Sequence, residues 1–437
     1  MVKKKGILFL VIAVALLIGI GGLWYGLKEQ PAATEQADGG IQGEITVLTQ
    51  RTDIVDTVFV EYAKRFNEKY PKVKVEFEAL ADYEGQVKIR LNTKDYGDVL
   101  LIPAQIPVSD YPHFFEPLGT VEELEDKYLF VTEKQLEGKV YGISICGNAN
   151  GFVYNKKVFA EAGVTEVPSS PEEFIEAMKK IKEKGDAIPY YTNYACGWAL
   201  DQWEGNRTSV AGDPDFVFKM AYTDAPFAPG KPHYIIYKLL YDLVKEGLVE
   251  QDPMTTDWES SKVMLAEGKI GAMALGSWAV SQIQDFAADP DDIGYMPFPY
   301  TNADGKVYAS SAGDYKLAIN IHSPYKEAAR AWLYWFIEES NYALDEGSIP
   351  PVKGSPLPAT LQAFDEIGAI FITDSPAPPG EETWVDAIDN EGEIGLWQPN
   401  FKQRIVEAAL GNTGESFDDI MNNLNARWKR ARAKIVQ

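Results

Sequence analysis

Side chains able to perform chemistry are sparse and scattered along the chain. The three histidines, His113, His233 and His322, lie far apart and share no metal-binding spacing. The stretch "GISIC" at 142–146 approaches the GxSxG turn that exposes a nucleophilic serine, but lacks its final glycine. Ser144 therefore reads as an ordinary strand residue. "TNADGK" at 301–306 resembles a calcium loop at a glance, without the alternating acids or the distal glutamate, and reads as a hairpin turn. Neither GxxxxGK[ST] nor GxGxxG occurs. No spacing marks a glycosidase pair among the 65 carboxylates. What stands out belongs to recognition instead. In "GKIGAMALGSWAVSQI" (268–283) a short apolar run turns at Gly276-Ser277 and shows Trp278, after which Ala279, Val280 and Ile283 repeat at helical spacing. A flat aromatic just past a strand end, beside a helix N-terminus, sits where open α/β sheets bind ligands. From this stretch alone the ring reads equally well as core.

The whole chain narrows the classes. Its 437 residues suffice for two domains, and a hydrophobic fraction of 46% is that of a globular protein. Asp and Glu number 65 against 41 Lys and Arg, a net charge of −24 that repels phosphate backbones and argues against nucleic-acid binding. The 10 Trp, 23 Tyr and 20 Phe suit either cores or a site that stacks flat apolar faces. Lys3-Lys4-Lys5 precede an uncharged apolar run from Ile7 to Leu27, long enough to cross a bilayer and oriented to send the remainder outside. Residues 1–27 are expected to be a retained membrane anchor in preference to a cleaved signal, since no clean cleavage site appears beyond a weak Gly19-Ile20-Gly21. No cysteine follows to carry a lipid. Residues 28–43, small and polar, read as a flexible tether. Of the two cysteines, Cys146 and Cys196, buried free thiols are preferred to the disulfide that an exported chain can keep.

These side chains must be positioned by alternating strands and helices. "EITVLT" (44–49) and "VKVEFE" (73–78) alternate as strands around a helix with Phe59, Tyr62, Ala63, Phe66 and Tyr70 on one face. A further helical segment leads to the continuous apolar run "DVLLIP" (98–103), so that β-α-β-α-β implies a parallel sheet. A second unit begins near residue 140 with "KVYGISI" and "GFVYN". Its best-marked helix, 169–185, has Ser170 as N-cap, Pro171 at the first position, Glu173 completing a capping box, and Gly185 at its end. Later come a helix around 234–246, strands in "DDIGYMPFP" and "DYKLAIN", a helix burying Ala328, Trp332 and Trp335, and a C-terminal helix over 415–434 with Trp428 in register.

The succession "FVEYAKRFNEKYPKVKVEFE", "YGDVLLIP", "GFVYNKKVFAEAGVTEVPSSPEEFIEAMKKIKEKG", "LAEGKIGAMALGSWAVSQI" and "SAGDYKLAINIHSPYKEAARAWLYWFIEE" resembles the extracellular solute-binding proteins of family 1. These are the maltose-binding-protein-like sugar receptors of bacterial ABC importers. The resemblance covers roughly residues 44–434 and rests on the joint order of segments that are individually weak. It implies a two-lobed periplasmic-binding-protein-like α/β fold, each lobe a mainly parallel sheet flanked by helices, joined by hinge crossings. Residues 44–146 would form the first part of lobe 1, 147–312 the first part of lobe 2, 313–355 the second part of lobe 1, and 356–437 a helical part completing lobe 2. Crossings are expected near Ile145–Ala149, near Ala309–Asp314, and after "GSIPPVKG" (347–354).

Carried over position by position, the resemblance implies a cleft lined by Arg51, Thr52 and Asp53 after the first strand and Gln105 after "DVLLIP". It adds Asn148 and Asn150 from the crossing, Trp198 and Trp203 from "YTNYACGWALDQW", Trp278, Asp314 with Tyr315, and Trp397 from "GLWQPNF". The family often has an acid where Asn148 and Gln105 stand, a departure that bears on which sugar is bound. Trp rings cover the apolar faces of a pyranose, each worth about 2 kcal/mol, while Asp, Asn, Gln and Arg meet its hydroxyls. On this reading Trp278 is a sugar platform, whereas Trp332, Trp335 and Trp428, at helical spacing among apolar neighbours, are core. The implied protein is a monomeric receptor for a mono- or oligosaccharide. It needs no cofactor or metal, performs no catalysis, and hands its ligand to permease subunits in the membrane. A receptor for another solute, a cell-surface glycoside-active enzyme and an adhesive surface protein are the rival classes.

Overall fold

The computed structural model describes residues 40–103 and 106–436. The expected anchor of 1–27, most of the 28–43 tether and Gln105 lie outside the described residues. The tether's last residue, Gly43, already belongs to the first strand.

The first lobe is built on a sheet whose order is Val73–Ala79, Gly43–Thr49, Val99–Leu101, Lys316–Ile319, Ile143–Ser144. The first three strands are parallel, in a register running from Gly43 opposite Val73 to Thr49 opposite Ala79. Lys316–Ile319 then adds antiparallel, Leu317 facing Leu101. The helix Val58–Lys69 lays Phe59, Tyr62 and Phe66 on this sheet. Phe66 meets Trp332 edge-on at 5.1 Å, so the late helix Lys326–Glu339 completes a core begun at residue 45.

The second lobe departs from the mainly parallel expectation. Its central strand, Gly147–Asn155, runs antiparallel to all of its partners: Ile270–Gly276 along one edge, and Tyr308–Gly313 followed by Ile293–Pro297 along the other. Parallel pairing is kept by Ile188–Tyr190 beside Ile270–Gly276 and by Ile370–Ile372 beside Tyr308–Gly313. The reason is connectivity. The central strand enters straight from the first sheet, with no crossover helix to set its direction, and antiparallel neighbours accept such an entry. Helices Pro171–Lys184, Pro232–Lys245, Asn400–Leu410 and Phe417–Ile435 cover this sheet with Met178, Ile236, Leu240, Phe401, Leu424 and Trp428 in one core. Ser170 caps its helix as expected, accepting the Glu173 N–H at 3.1 Å. The Glu173 carboxylate, however, reaches back to the N–H and hydroxyl of Ser169, each at 2.8 Å, one residue earlier than a capping box requires.

The chain passes between the sheets at 145–146 and again at 314–315. There the Ile145 N–H donates to the Tyr315 carbonyl at 2.9 Å, and the Asp314 N–H to the Cys146 carbonyl at 2.8 Å. A third segment joins them, Gly147 and Ile349 exchanging both backbone hydrogen bonds at 2.7 and 2.8 Å. Cys146 and Cys196 are free thiols, the first buried and the second half-buried. "TNADGK" is a hairpin turn, with Thr301 bridging to Val307.

Trp203 does not reach a surface. It is fully buried among Phe152, Tyr190 and Phe298, and its Nε1–H donates to the Tyr190 hydroxyl at 3.0 Å. The expectation that it lines the cleft is corrected: five residues after Trp198, it lies on the inner face of the segment. Trp203→Ala should therefore destabilise the second lobe by about 3–5 kcal/mol, read as a fall in the urea midpoint. Unchanged stability would return this ring to the surface.

Candidate ligand-binding cleft

Two cavities that share lining residues lie at the crossing, of about 390 and 620 Å³, both lined by Trp278 and Asp314. The smaller adds Asn148, Asn150 and the strand ends at Gly276 and Gly313. The larger adds Arg51, Asp53, Asp285, Asp345, Glu346 and Ser348. Among the described residues, no group of three His, Cys, Asp or Glu side chains is arranged to hold a metal ion.

The polar centre grows out of the crossing strands. The Asp314 carboxylate accepts its neighbour Tyr315's N–H at 2.8 Å and the Asn148 amide at 3.3 Å. The Asn148 carbonyl oxygen in turn accepts from the hydroxyls of Ser277 and Ser348, at 3.4 Å each. Ser277 is buried and also accepts the Ala149 N–H at 3.0 Å, which pins the turn after Ile270–Gly276 to the crossing. One amide therefore gathers the crossing strand, the turn before Trp278 and the third connecting segment.

Trp278 is the N-cap of the helix Ala279–Gln284. Its indole folds back over Gly276: a Cβ there would fall 2.4 Å from Nε1 and 2.6 Å from Cδ1. Gly276 is thus required by the ring's pose. A similar constraint holds Asn150, whose side-chain oxygen lies 2.5 Å from where a Cβ on Gly205 would sit. Trp278 does not stand alone. Trp198 and Trp258 lie 6.0 and 5.8 Å from it and 5.3 Å from each other, all tilted or edge-on, which suits the ring quadrupoles. Each opens or caps a helix: Trp198–Asp201, Trp258–Ala266 and Ala279–Gln284. Together they make a half-exposed aromatic floor on the second lobe.

The opposite wall belongs to the first lobe. The Arg51 guanidinium grips Asp53 at 2.9 and 2.7 Å and reaches the Tyr342 hydroxyl at 3.2 Å and Glu346 at 2.5 Å. Burial works against its charge, but Asp53, Tyr342 and Glu346 outweigh that and raise its pKa. The hydrogen bond from Arg51 holds the Asp53 carboxyl below its ordinary value.

The structure brings Arg51, Asp53, Asn148, Asn150, Trp278 and Asp314 to this cleft, while Trp198 packs against Trp278 without lining either cavity. Others stand elsewhere. Thr52 is exposed and lines neither cavity. Tyr315 turns into the first lobe against Tyr83, 6.1 Å away, because side chains alternate along the strand from Asp314. Trp397 is 55% exposed and lies against the Arg207 guanidinium, outside both cavities. Trp258, Tyr342, Glu346 and Ser348 escape the sequence reading. For Trp258 the signal was present: an aromatic directly after the N-cap Asp257, the same helix-start setting as Trp278.

The family profile described as bacterial extracellular solute-binding protein matches residues 52–343. The multiple sugar-binding protein of Streptococcus mutans is 26% identical over 335 residues, 71% of this chain and 78% of its own length. The diacetylchitobiose binding protein DasA of Streptomyces coelicolor is 26% identical over 357 residues, 76% of this chain and 80% of its own. Among solved structures, the manno-oligosaccharide specific solute binding protein BlMnBP2 of Bifidobacterium animalis subsp. lactis, in complex with mannotriose, has a TM-score of 0.79 at 36% identity, covering 92% of this chain and 97% of its own. BlMnBP1, an ABC transporter binding protein from the same organism in complex with mannobiose, has a TM-score of 0.79 at 37% identity with the same coverage.

Gly276→Ala should swing the Trp278 indole off the strand end while sparing the core. The expected readout is a shift in tryptophan emission and easier acrylamide quenching with nearly unchanged melting temperature. An unaltered spectrum would mean that the ring's pose does not depend on this glycine.

Proposed function

Because the chain belongs to the bacterial extracellular solute-binding proteins, we propose that it captures a carbohydrate between its lobes and delivers it to an ABC import permease. Manno-oligosaccharides are its expected ligands, since the two solved structures at 36 and 37% identity over 92% of the chain hold mannotriose and mannobiose. The observation that carries the reading is Trp278, packed with Trp198 and Trp258, lining the same cavity as Asp314, Asn148 and Asn150. Stacked indoles remove the C–H faces of a pyranose from water, and Asp314, Asn148 and Asn150 offer fixed acceptors and donors to its hydroxyl rim. A site built this way disfavours ligands that leave its polar groups unpaired. Acids dominate the larger cavity, with Asp53, Asp285, Asp314, Asp345 and Glu346 beside Arg51, so a neutral sugar suits it better than an acidic one.

The work is done outside the cytoplasm. In this reading the apolar run of residues 7–27 keeps the receptor at the membrane, where its permease sits. Arg51 and Asp53 belong to one lobe and the tryptophan floor to the other, so a ligand touching both favours the closed arrangement by the difference in its contacts. The role requires reversible capture without bond cleavage; mannotriose recovered intact after prolonged incubation separates it from a glycoside-active enzyme.

Calorimetry of the soluble part with mannotriose should give micromolar affinity or better, about −8 kcal/mol. Trp278→Ala should weaken that by about 2 kcal/mol, roughly thirtyfold, with the fold kept. A wild type that ignores manno-oligosaccharides in both heat and melting temperature would sink the ligand assignment. Saturating mannotriose should also lower the radius of gyration in small-angle scattering; superimposable curves at proven saturation would remove closure from the mechanism.

A further inference from the structure

Charge closes one edge of the crossing. Gly313 stands opposite Gly147 where the two crossing strands pair. The next residue, Asp314, gives its N–H to the Cys146 carbonyl, so the polar groups of Gly313 face away from that partner strand. Both are taken by a single ion pair. The Glu133 carboxylate accepts the Gly313 N–H at 2.8 Å, and the Lys316 ammonium donates to the Gly313 carbonyl at 2.7 Å. Glu133 and Lys316 lie 2.5 Å apart, their side chains only 21% and 12% exposed. Hydrogen bonds to charged groups are the strong ones, and here two of them hold the backbone of the residue before Asp314.

Glu133 reaches that backbone from a loop folded over the back of the crossing. The loop turns at Phe130, whose φ of 62° and ψ of 17° place it in the left-handed region that a bulky residue rarely enters. The short 3-10 helix Val131–Lys134 follows. A Cβ on Gly147 would fall 2.6 Å from Phe130 Cζ, and one on Gly313 would fall 3.0 Å from Phe130 Cβ. The phenylalanine therefore occupies the notch that two facing glycines leave. Side chains alternate along a strand, so Asn148 and Asp314, next to these glycines, point to the opposite face and line the cavity. The same loop is tied to the third connecting segment. The Leu129 N–H donates to the Pro351 carbonyl at 2.7 Å, and the Lys353 N–H to the Lys127 carbonyl at 2.9 Å. Residues 127–134 thus meet all three passages of the chain, directly behind the polar centre.

We propose that Glu133, together with Lys316, is a positioning residue for ligand capture: the pair fixes the backbone of Gly313 and through it holds the Asp314 carboxylate in the cleft. The contact between Asp314 and ligand rests on the carbohydrate-receptor reading. Neither Glu133 nor Lys316 lines either cavity, so both act through the strand and not by touching sugar. A carboxylate already held in place loses little freedom when a hydroxyl meets it, and more of that hydrogen bond remains as affinity.

The test joins calorimetry with mannotriose to amide hydrogen exchange of the ligand-free protein. Glu133→Ala should weaken mannotriose about tenfold, the scale of one hydrogen bond to a charged group. Glu133→Gln, whose amide oxygen still accepts the Gly313 N–H, should recover most of that loss. In an Asp314→Asn background, Glu133→Ala should cost less than about twofold more, as a double-mutant cycle requires of a residue acting through Asp314. Without sugar, Glu133→Ala should hasten exchange of the Gly313 and Tyr315 amides. The Tyr315 N–H donates to the Asp314 carboxylate at 2.8 Å and so reports its pose. Lys316→Met takes the place of Glu133→Ala if that variant does not fold, and Tyr315 exchange decides alone if Asp314→Asn binds too weakly to measure. A folded variant with a lower melting temperature and unchanged affinity overturns the proposal. So does an equal loss in both backgrounds, or Tyr315 exchange that stays at the wild-type rate. A wild type that binds no manno-oligosaccharide refutes the ligand assignment instead, and Tyr315 exchange then still tells whether Glu133 holds Asp314.

Discussion

The rest of the molecule depends on the backbone ladder where the chain passes between its sheets. The hydrogen bonds joining Ile145 to Tyr315, Asp314 to Cys146 and Gly147 to Ile349 hold three passages of the chain side by side. Each sheet gains a strand at this junction: Lys316–Ile319 joins the first, and Gly147–Asn155 is central to the second. The same few residues also present the polar centre, since Asn148 and Asp314 stand on the very strands that cross. If these residues hold the ligand as proposed, connection and recognition are a single construction. A ligand that pulls on Asp314 pulls on the segment about which the lobes would rotate.

Around the junction the two lobes use different means to shape the cleft. The first lobe supplies charge: Arg51 sits between Asp53 and Glu346, and its charge is stabilised by those partners despite burial. The second supplies aromatic area on the starts of short helices, where a side chain can project past the end of a strand without joining the core. Behind that floor lies a buried polar network. Glu204 accepts from the Tyr237 hydroxyl at 2.6 Å and lies 2.8 Å from His233 and 3.2 Å from Arg207. Burial alone would push its carboxyl up, but His233 and Arg207 outweigh this and hold it at about 2. Paired charges of this kind add little net stability compared with apolar packing, yet they impose one geometry.

Much of this was legible from the chain, for identifiable reasons. Helices with a full apolar stripe and a cap, such as Pro171–Lys184 and Phe417–Ile435, declare themselves because their pattern is local. Trp278 was readable because strand, glycine turn and helix start fall within a few residues. Trp203 misled because it shares a segment with Trp198, and only the packing of Phe152 and Tyr190 around it shows which of the two faces inward. The direction of Gly147–Asn155 was hidden for a related reason: strand polarity depends on which lobe the chain comes from, and hydrophobic alternation carries no such information. Lys402 was invisible altogether, since a lysine on an amphipathic helix ordinarily points to water and its partners here are backbone carbonyls from an adjoining turn.

The thiol at the crossing has a consequence for durability. Cys146 is buried beside Asp314, and burial first, with that carboxylate second, pushes its pKa far above the ordinary value. Nucleophilic attack on a disulfide requires the thiolate, which this setting suppresses. A free cysteine in an oxidising exterior invites mixed disulfides and covalent cross-linking of one copy to another. Burial at the junction that joins the lobes therefore disfavours the reactive thiolate of Cys146.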